Sequence, residues 1–256
     1  MKVLILAGDF GTRISEYTDS IPKPMIEIGG LPILLHIMDT FSFYGHKDFY
    51  IALGYKGEVI KDYFRNFSNI NKDFKINLET GDIQFIRNDK LKKRDWNVTL
   101  VDTGLNALTG RRVKLMKPYL EDDTFFITYG DGLADINLDN LLDFHNSNGK
   151  ILTISAVRPP ARFGELEILN NMVTDFKEKP QLHQGWINGG YFVVEPSFFD
   201  YIPNENIMLE REPIEKITSI KQLMAYKHNG FWQCMDTRRD KELLENLYKQ
   251  DPPWIK

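Results

Sequence analysis

The residues with the clearest chemical potential lie at the start of the chain, where Met1 to Met25 read MKVLILAGDFGTRISEYTDSIPKPM. Val3 to Leu6 form a short, continuous apolar run, the pattern of a buried strand in a parallel sheet. Gly8 and Gly11 interrupt that run, and Thr12 and Arg13 follow at once. Glycines at the C-terminal end of a first strand let backbone N–H groups approach a phosphate closely. Arg13 and Lys23 offer positive charge to the same anion. The spacing is neither the G-x-G-x-x-G of a dinucleotide site nor the G-K-[ST] ending of a P-loop, and two glycines after a strand also make an ordinary turn. Asp9 stands between them, and its carboxylate repels an anion unless it points away or faces a cation.

A second feature is Asp131 within Tyr129-Gly130-Asp131-Gly132, directly after the most hydrophobic run of the chain, Thr124 to Asp131. A carboxylate there, with a glycine on either side leaving room, suits a divalent cation at a phosphate crevice; Asp-Gly is also a frequent turn. Asp236, in Trp232-Gln233-Cys234-Met235-Asp236-Thr237, follows another apolar segment late in the chain. Magnesium takes one or two carboxylates together with waters and phosphate oxygens. Two aspartates from distant segments meet that demand if the fold joins them. His36, His46, His145, His183 and His228 stand without a patterned serine or cysteine partner and read as core or surface residues. Cys234 is the only cysteine, so a disulfide within the chain and a cysteine-based metal site are both excluded. Lys90 to Arg94 is a charged run, either a solvated surface or a loop able to close over a triphosphate. Trp186, Phe192, Phe231 and Trp232 read as core rather than as sugar platforms.

These residues need a scaffold, and the remaining pattern supplies an α/β one. Pro32 to Gly45 puts Ile33, Leu34, Ile37, Met38 and Phe41 on one helical face, with proline suited to the first turn and glycine to the stop. Asp48 to Gly54 reads as a second buried strand, and Gly57 to Phe67 as a helix. This rhythm predicts right-handed βαβ units and a mostly parallel, Rossmann-like sheet flanked by helices. Phe74 to Asn88 switches to alternation, which predicts a short β excursion. Trp96 to Gly104 predicts a strand ending in a polar loop, and Thr109 to Leu120 a helix. Thr124 to Asp131 belongs near the centre of the sheet, with its C-terminal end at the ligand crevice. Asn137 to Gly149 predicts an amphipathic helix and Ile151 to Val157 a strand. The C-terminal half then changes to an additional mixed β region, with a hairpin at Asn170-Asn171 and closing helices over Pro213 to Ile220 and Asp240 to Lys249. No linker divides the chain, so 1–256 is expected to be a single domain, 1–150 mainly binding the phosphate ligand and 151–256 mainly binding its reaction partner and closing the fold.

Composition narrows the classes. The chain has 256 residues and a net charge of −4, and the charge is mixed rather than blocked, which argues against nucleic acid as a partner. No window approaches the roughly 20 apolar residues a membrane helix needs, and the first apolar run is too short for a signal peptide. The cytoplasm is the expected location.

The motifs, taken together, carry a resemblance. LAG-x-x-GTR with Lys23-Pro24-Met25 resembles the signature of the sugar nucleotidyltransferase family. WNVTLVDTG, YGDG, PPARFGELEI, FKEKP, INGGYFV, REP and FWQCMDTRRD follow in one order and resemble the cytidylyl branch of that family, from Met1 to about Trp254. The resemblance implies a nucleotidyltransferase-type, GT-A-like fold, CTP and glucose 1-phosphate as substrates, Mg2+ as cofactor and a homo-oligomer. It implies that Leu6, Ala7, Gly8, Asp9, Phe10, Gly11, Thr12, Arg13 and Lys23 bind the nucleotide with Thr103, Gly104, Thr109, Arg111, Tyr129 and Gly130. It further implies that Asp131 and Asp236 ligate the metal, that Gly164, Glu178, Lys179, Asn188, Gly189 and Gly190 form the sugar-phosphate side, and that Arg13, Lys23 and Lys179 are catalytic. The chain departs from the pattern in three places. Asp9 replaces a glycine, one glycine is missing near Arg111, which leaves Arg111 and Arg112 as alternatives, and Cys234 replaces a proline.

The implied chemistry suits these residue types. A sugar phosphate oxygen attacks the α-phosphorus of CTP and pyrophosphate leaves. A phosphate monoester has a second pKa of ~6, so the nucleophile is already ionised at neutral pH and no general base is required. The protein supplies positioning and charge neutralisation. Asp9 keeps a second reading open, a nucleotide-sugar-binding relative without turnover. A third keeps the chemistry with another nucleoside triphosphate or another phosphorylated acceptor.

Overall fold

A computed structural model describes residues 1–67, 72–86, 94–159, 165–169, 172–177 and 185–256. The first half runs β1 (Lys2–Ala7), α1 (Ile33–Phe43), β2 (Asp48–Leu53), α2 (Gly57–Arg65), β3 (Asn97–Asp102), α3 (Thr109–Leu115) and β4 (Phe125–Tyr129). It continues through β5 (Gly132–Ala134), α4 (Leu138–Asn148), β6 (Leu152–Val157), β7 (Ile187–Val194), α5 (Glu212–Ser219), β8 (Leu223–Lys227), β9 (Trp232–Cys234) and α6 (Arg238–Gln250). The seven-stranded sheet has the order β8–β6–β7–β4–β1–β2–β3. All neighbours are parallel except β7, which is antiparallel to both β6 and β4.

β4 is the middle strand, as its composition predicts. Phe125, Phe126 and Ile127 are fully buried because helices cover both faces of the sheet. Burying a side chain of this kind contributes about 1.5–3 kcal/mol, so the strand that carries Tyr129, Gly130 and Asp131 is firmly anchored. Because β1, β2, β3 and β4 run in one direction, the loops leaving their C-terminal ends share one edge of the sheet. The phosphate-type loop, the polar loop after β3 and the Gly130-Asp131 turn therefore meet.

One expectation is revised. The helix anticipated over Thr109 to Leu120 is two pieces, α3 and a short turn over Lys117–Leu120, because Pro118 cannot continue the hydrogen-bond ladder. The additional mixed β region expected in the C-terminal half contributes β7 and β8 to the main sheet beside β6. Gly189 to Val194 are buried on both strand faces, which a strand at the centre of a covered sheet requires. The excursion after α2 is the hairpin Asp73–Ile76 with Ile83–Ile86, and a second hairpin pairs Glu165–Leu169 with Met172–Lys177. The charged run from Lys90 to Lys93 lies outside the described residues, as does Asn170-Asn171.

Candidate functional site

The loop after β1 is shaped by Gly11, which adopts φ 64°, ψ 33° and opens the short helix Thr12–Ile14. A side chain would strain that left-handed conformation. Gly8 serves a different need. A Cβ there would come within 2.2 Å of Arg112 Cζ, and this close approach is what lets the buried Arg112 hold the loop. Its guanidinium donates to Gly8 O at 2.9 Å, Leu53 O at 2.8 Å, Thr103 Oγ1 at 2.6 Å, Gly104 O at 2.8 Å and Leu105 O at 3.2 Å. One side chain thus ties together the ends of β1, β2 and β3. Burial pushes the Arg112 pKa down, and Asp9 and Asp102 oppose that push.

The two aspartates meet through the antiparallel β5–β9 pair. Gly132 lies opposite Cys234, and the Met235 N–H donates to Asp131 O at 2.9 Å. Asp131 and Asp236 flank this pair, and Thr237 then caps α6 in a capping box with Asp240. The Lys23 ammonium lies between the two carboxylates, 2.6 Å from Asp131 Oδ2 and 2.6 Å from Asp236 Oδ1. Arg13 NH1 reaches Asp236 Oδ2 at 2.8 Å. Burial alone lowers a lysine pKa, yet the paired carboxylates prevail and Lys23 is held above the ordinary lysine range. Asp236 moves below the ordinary carboxylate range, because the hydrogen bond and charge of Lys23, with Arg13, outweigh its burial. The Cys234 thiol is pushed up to about 12 by burial and by Asp236 and Asp131, and so stays protonated.

A cavity of about 270 Å³ opens beside this cluster. Leu6, Ala7, Gly8, Asp9, Phe10, Lys23, Pro24, Tyr129, Gly130 and Asp131 line it on one side, and Asn106, Ala107, Leu108, Thr109, Arg112 and Met208 on the other. The cavity combines backbone amides, buried cations and carboxylates at the C-terminal edge of a parallel sheet, where phosphate ligands bind. The second wall is stitched to the segment before α5. Leu108 N donates to Asn206 Oδ1 at 2.7 Å, Gly110 N to Ile207 O at 3.0 Å and Asn206 Nδ2 to Asn106 O at 3.0 Å.

A model of the nucleotidyl transferase family matches residues 2–239 of this chain. The chain belongs to that family. It is 47% identical over 256 residues to the glucose-1-phosphate cytidylyltransferase of Salmonella typhimurium, across 99% of this chain and 98% of that protein. It is 30% identical to mannose-1-phosphate guanylyltransferase 1 of Arabidopsis thaliana, across 98% of this chain and 67% of the plant protein. Among solved structures, HddC from Yersinia pseudotuberculosis matches with a TM-score of 0.69 at 23% identity, covering 96% of this chain and 99% of that one. That last likeness is one of fold.

In this nucleotidyl transferase the sequence expectations separate into four groups. Leu6, Ala7, Gly8, Asp9, Phe10, Lys23, Thr109, Tyr129, Gly130 and Asp131 line the cavity, with Asp236 and Arg13 joined to them through the ion pairs. Asn188 lies beside them, its Nδ2 3.5 Å from the Tyr129 hydroxyl, while Gly190 N donates to Asn188 Oδ1 and Trp232 Nε1 donates to Gly189 O. The structure does not bring Arg111 to the cavity. Its guanidinium donates to Asn204 O at 2.9 Å on the exposed side, and Arg112 takes the inner position. Gly11, Thr12, Thr103 and Gly104 support rather than line the cavity. Thr103 and Gly104 accept from Arg112, Gly11 O accepts from Thr18 Oγ1 at 3.1 Å, and Thr12 begins the short helix. Gly164, Glu178 and Lys179 lie outside the described residues.

Asp9 turns back on its own loop. Its Oδ2 accepts from Gly11 N at 3.3 Å, while the side of the residue towards the cavity stays exposed. Sequence left Arg111 and Arg112 as alternatives, and the inner position had a signal, since Arg112, Met116 and Leu120 repeat at helical spacing and all are buried. Glu210, which accepts from Thr109 and Tyr129, lies on an irregular segment and had none.

The donor set fits magnesium. Asp131 and Asp236 approach one cation position from two sides, and this metal needs one or two carboxylates with phosphate and water oxygens. Among the described residues no group of three or more His, Cys, Asp or Glu forms a fuller metal site.

Proposed function

We propose that this chain transfers CMP from CTP to glucose 1-phosphate, giving CDP-glucose and pyrophosphate. One observation carries the reading: Lys23, Arg13, Asp131 and Asp236 converge beside the glycine loop in a chain 47% identical, end to end, to a glucose-1-phosphate cytidylyltransferase. A phosphate oxygen of glucose 1-phosphate attacks the α-phosphorus of CTP. The bond from that phosphorus to the bridging oxygen breaks, and the electron pair leaves with pyrophosphate. The nucleophile is already an anion, so no base is needed.

Asp131 and Asp236 are the residues that would hold magnesium, which when bound supplies positive charge to the phosphates. Lys23 and Arg13 neutralise phosphate charge from the loop side. Lys179, from the resemblance, does so on the sugar-phosphate side, where Gly164, Glu178, Asn188, Gly189 and Gly190 frame the sugar phosphate. Arg112 holds the glycine loop open without touching the reacting atoms. The reading includes a homo-oligomer working in the cytoplasm, feeding sugar nucleotides to surface polysaccharide. Among the described residues no helix is long and apolar enough to cross a membrane.

The test is a panel. Purified protein with magnesium and glucose 1-phosphate is given CTP, UTP, dTTP, ATP and GTP separately, and pyrophosphate release is followed. Release with CTP well above the others is expected. Release with UTP but not CTP would overturn the cytidylyl assignment, and release with none, across several sugar 1-phosphates, would leave a binding protein without turnover.

A further inference from the structure

Thr109 and Tyr129 give their hydroxyl protons to the same carboxylate. Thr109 Oγ1 donates to Glu210 Oε2 at 2.7 Å, and the Tyr129 hydroxyl donates to Glu210 Oε1. Thr109 Oγ1 in turn accepts from Leu209 N at 2.8 Å. A threonine hydroxyl has one proton and two lone pairs. In Thr109 the proton is committed to Glu210 and one lone pair to Leu209. What is left for a ligand is a single acceptor.

That acceptor faces a defined place. Thr109 lines the cavity alongside Ala107, Leu108 and Met208, apolar side chains suited to the faces of a flat ring. The bonds from Leu108 to Asn206 and from Gly110 to Ile207 hold the two segments together and so keep Leu209 N and Glu210 against the hydroxyl, whose proton would meet the Leu209 N–H if it turned away from the carboxylate. Tyr129 reinforces the arrangement from the other oxygen, while its own hydroxyl accepts from Asn188.

We propose that Glu210 makes Thr109 a specificity-determining acceptor for the nucleobase. The exocyclic amino group of cytosine donates to Thr109 Oγ1. Uracil presents a carbonyl oxygen at the same position, lone pair against lone pair. Glu210 touches no ligand and is a positioning residue that sets the direction of the hydroxyl. The proposal rests on the cytidylyl reading and adds the atom that enforces it. Sites built to pair a particular hydrogen-bonding group discriminate strongly against an analogue that leaves it unpaired.

The experiment compares kcat/KM for CTP and UTP, each with glucose 1-phosphate and magnesium, in the wild type and in Thr109→Val, Thr109→Ser and Glu210→Gln. Valine keeps the shape without the hydroxyl. Serine keeps the hydroxyl. Glutamine replaces one acceptor oxygen with an N–H2 donor, which frees a hydroxyl proton. The CTP-to-UTP ratio is expected to fall about tenfold in Thr109→Val and Glu210→Gln, the scale of one hydrogen bond, and to stay within about twofold of wild type in Thr109→Ser. Where a variant turns over too slowly, calorimetric binding of CTP and of UTP gives the same ratio. A wild-type ratio in Thr109→Val would overturn the role of Thr109, and a wild-type ratio in Glu210→Gln that of Glu210. A wild-type enzyme without preference for CTP would instead refute the cytidylyl reading itself.

Discussion

The Lys23 ammonium sits 2.6 Å from the Asp131 carboxylate and the same distance from Asp236 on its other side. The lysine side chain is only 4% exposed, so it depends on both partners to offset its lost hydration. A magnesium ion held by Asp131 and Asp236 would compete for the oxygens that Lys23 uses. In Lys23→Met, the magnesium-dependent rise in melting temperature is therefore expected to exceed that of the wild type, because metal then relieves an Asp131 left without Lys23 and an Asp236 whose remaining cation is Arg13. Turnover is expected to drop by about 10²–10³, the usual effect of removing one preorganised electrostatic group. Differential scanning calorimetry with and without magnesium checks the first, and an equal rise in both proteins would show that Lys23 and the metal do not share these oxygens.

Arg112 and Arg111 are adjacent in sequence and opposite in role. Arg112→Ala removes the guanidinium from the carbonyls of Gly8, Leu53, Gly104 and Leu105, of which Gly8 O keeps Tyr55 N and Leu53 O keeps Thr103, and is expected to cost about 3 kcal/mol of stability. Arg111→Ala loses one exposed contact to Asn204 O and should stay within about 0.5 kcal/mol of wild type. Chemical denaturation of the two variants side by side measures the contrast. Equal losses would mean that Arg112 is not the tie between the loops.

Asp9 occupies an amide that a phosphate could use, since its carboxylate accepts from Gly11 N. Asp9→Gly frees that amide and removes a negative charge from the cavity, so KM for CTP is expected to fall. Asp9→Asn, which removes only the charge, should fall part of the way. An unchanged or higher KM in Asp9→Gly would place the carboxylate among the useful groups of the loop.

His46 gives the fold an acid-sensitive point away from the cavity. Burial, with the N-terminal amine adding to it, lowers its pKa from 6.5 to about 4. Its ring packs on Phe126, with Nδ1 3.5 Å from that amine. The unfolded chain therefore binds a proton that the folded protein refuses between pH 6.5 and about 4, and stability falls as pH drops through this window. The Lys23–Asp236 pair behaves differently. A raised lysine and a lowered carboxylate keep their stabilisation across neutral pH, and it is lost only below the ordinary carboxylate range or above the ordinary lysine range. Melting temperatures from pH 7 to 4 are expected to fall less steeply in His46→Gln than in the wild type. Parallel curves would exclude His46 as a source of the acid sensitivity.

The scaffold was readable because burial leaves a periodic trace. The apolar run of β4 announced a central strand, and proline and glycine marked both ends of α1. The contribution of β7 to the main sheet was not readable, because the partner a strand finds is decided by packing of distant segments rather than by local pattern. At the site, Lys23, Asp131 and Asp236 were nameable from motif, yet only the pairing of Gly132 with Cys234 explains how the two aspartates meet. The choice between Arg111 and Arg112 turned on which of two adjacent positions faces inward. That was encoded in the spacing to Met116 and Leu120 but masked by the motif. Glu210 left no trace, since an isolated carboxylate on an irregular segment looks like any surface charge.

The most direct measurement is phosphorus NMR of CTP, glucose 1-phosphate and magnesium incubated with the protein, run in parallel with Asp131→Asn and Asp236→Asn. The wild type is expected to convert CTP to free pyrophosphate and a sugar-linked cytidine diphosphate, while both variants, folded by circular dichroism, leave CTP intact over the same time. An unchanged CTP spectrum with the wild type, or normal conversion by either variant, would refute the assignment of this site to cytidylyl transfer.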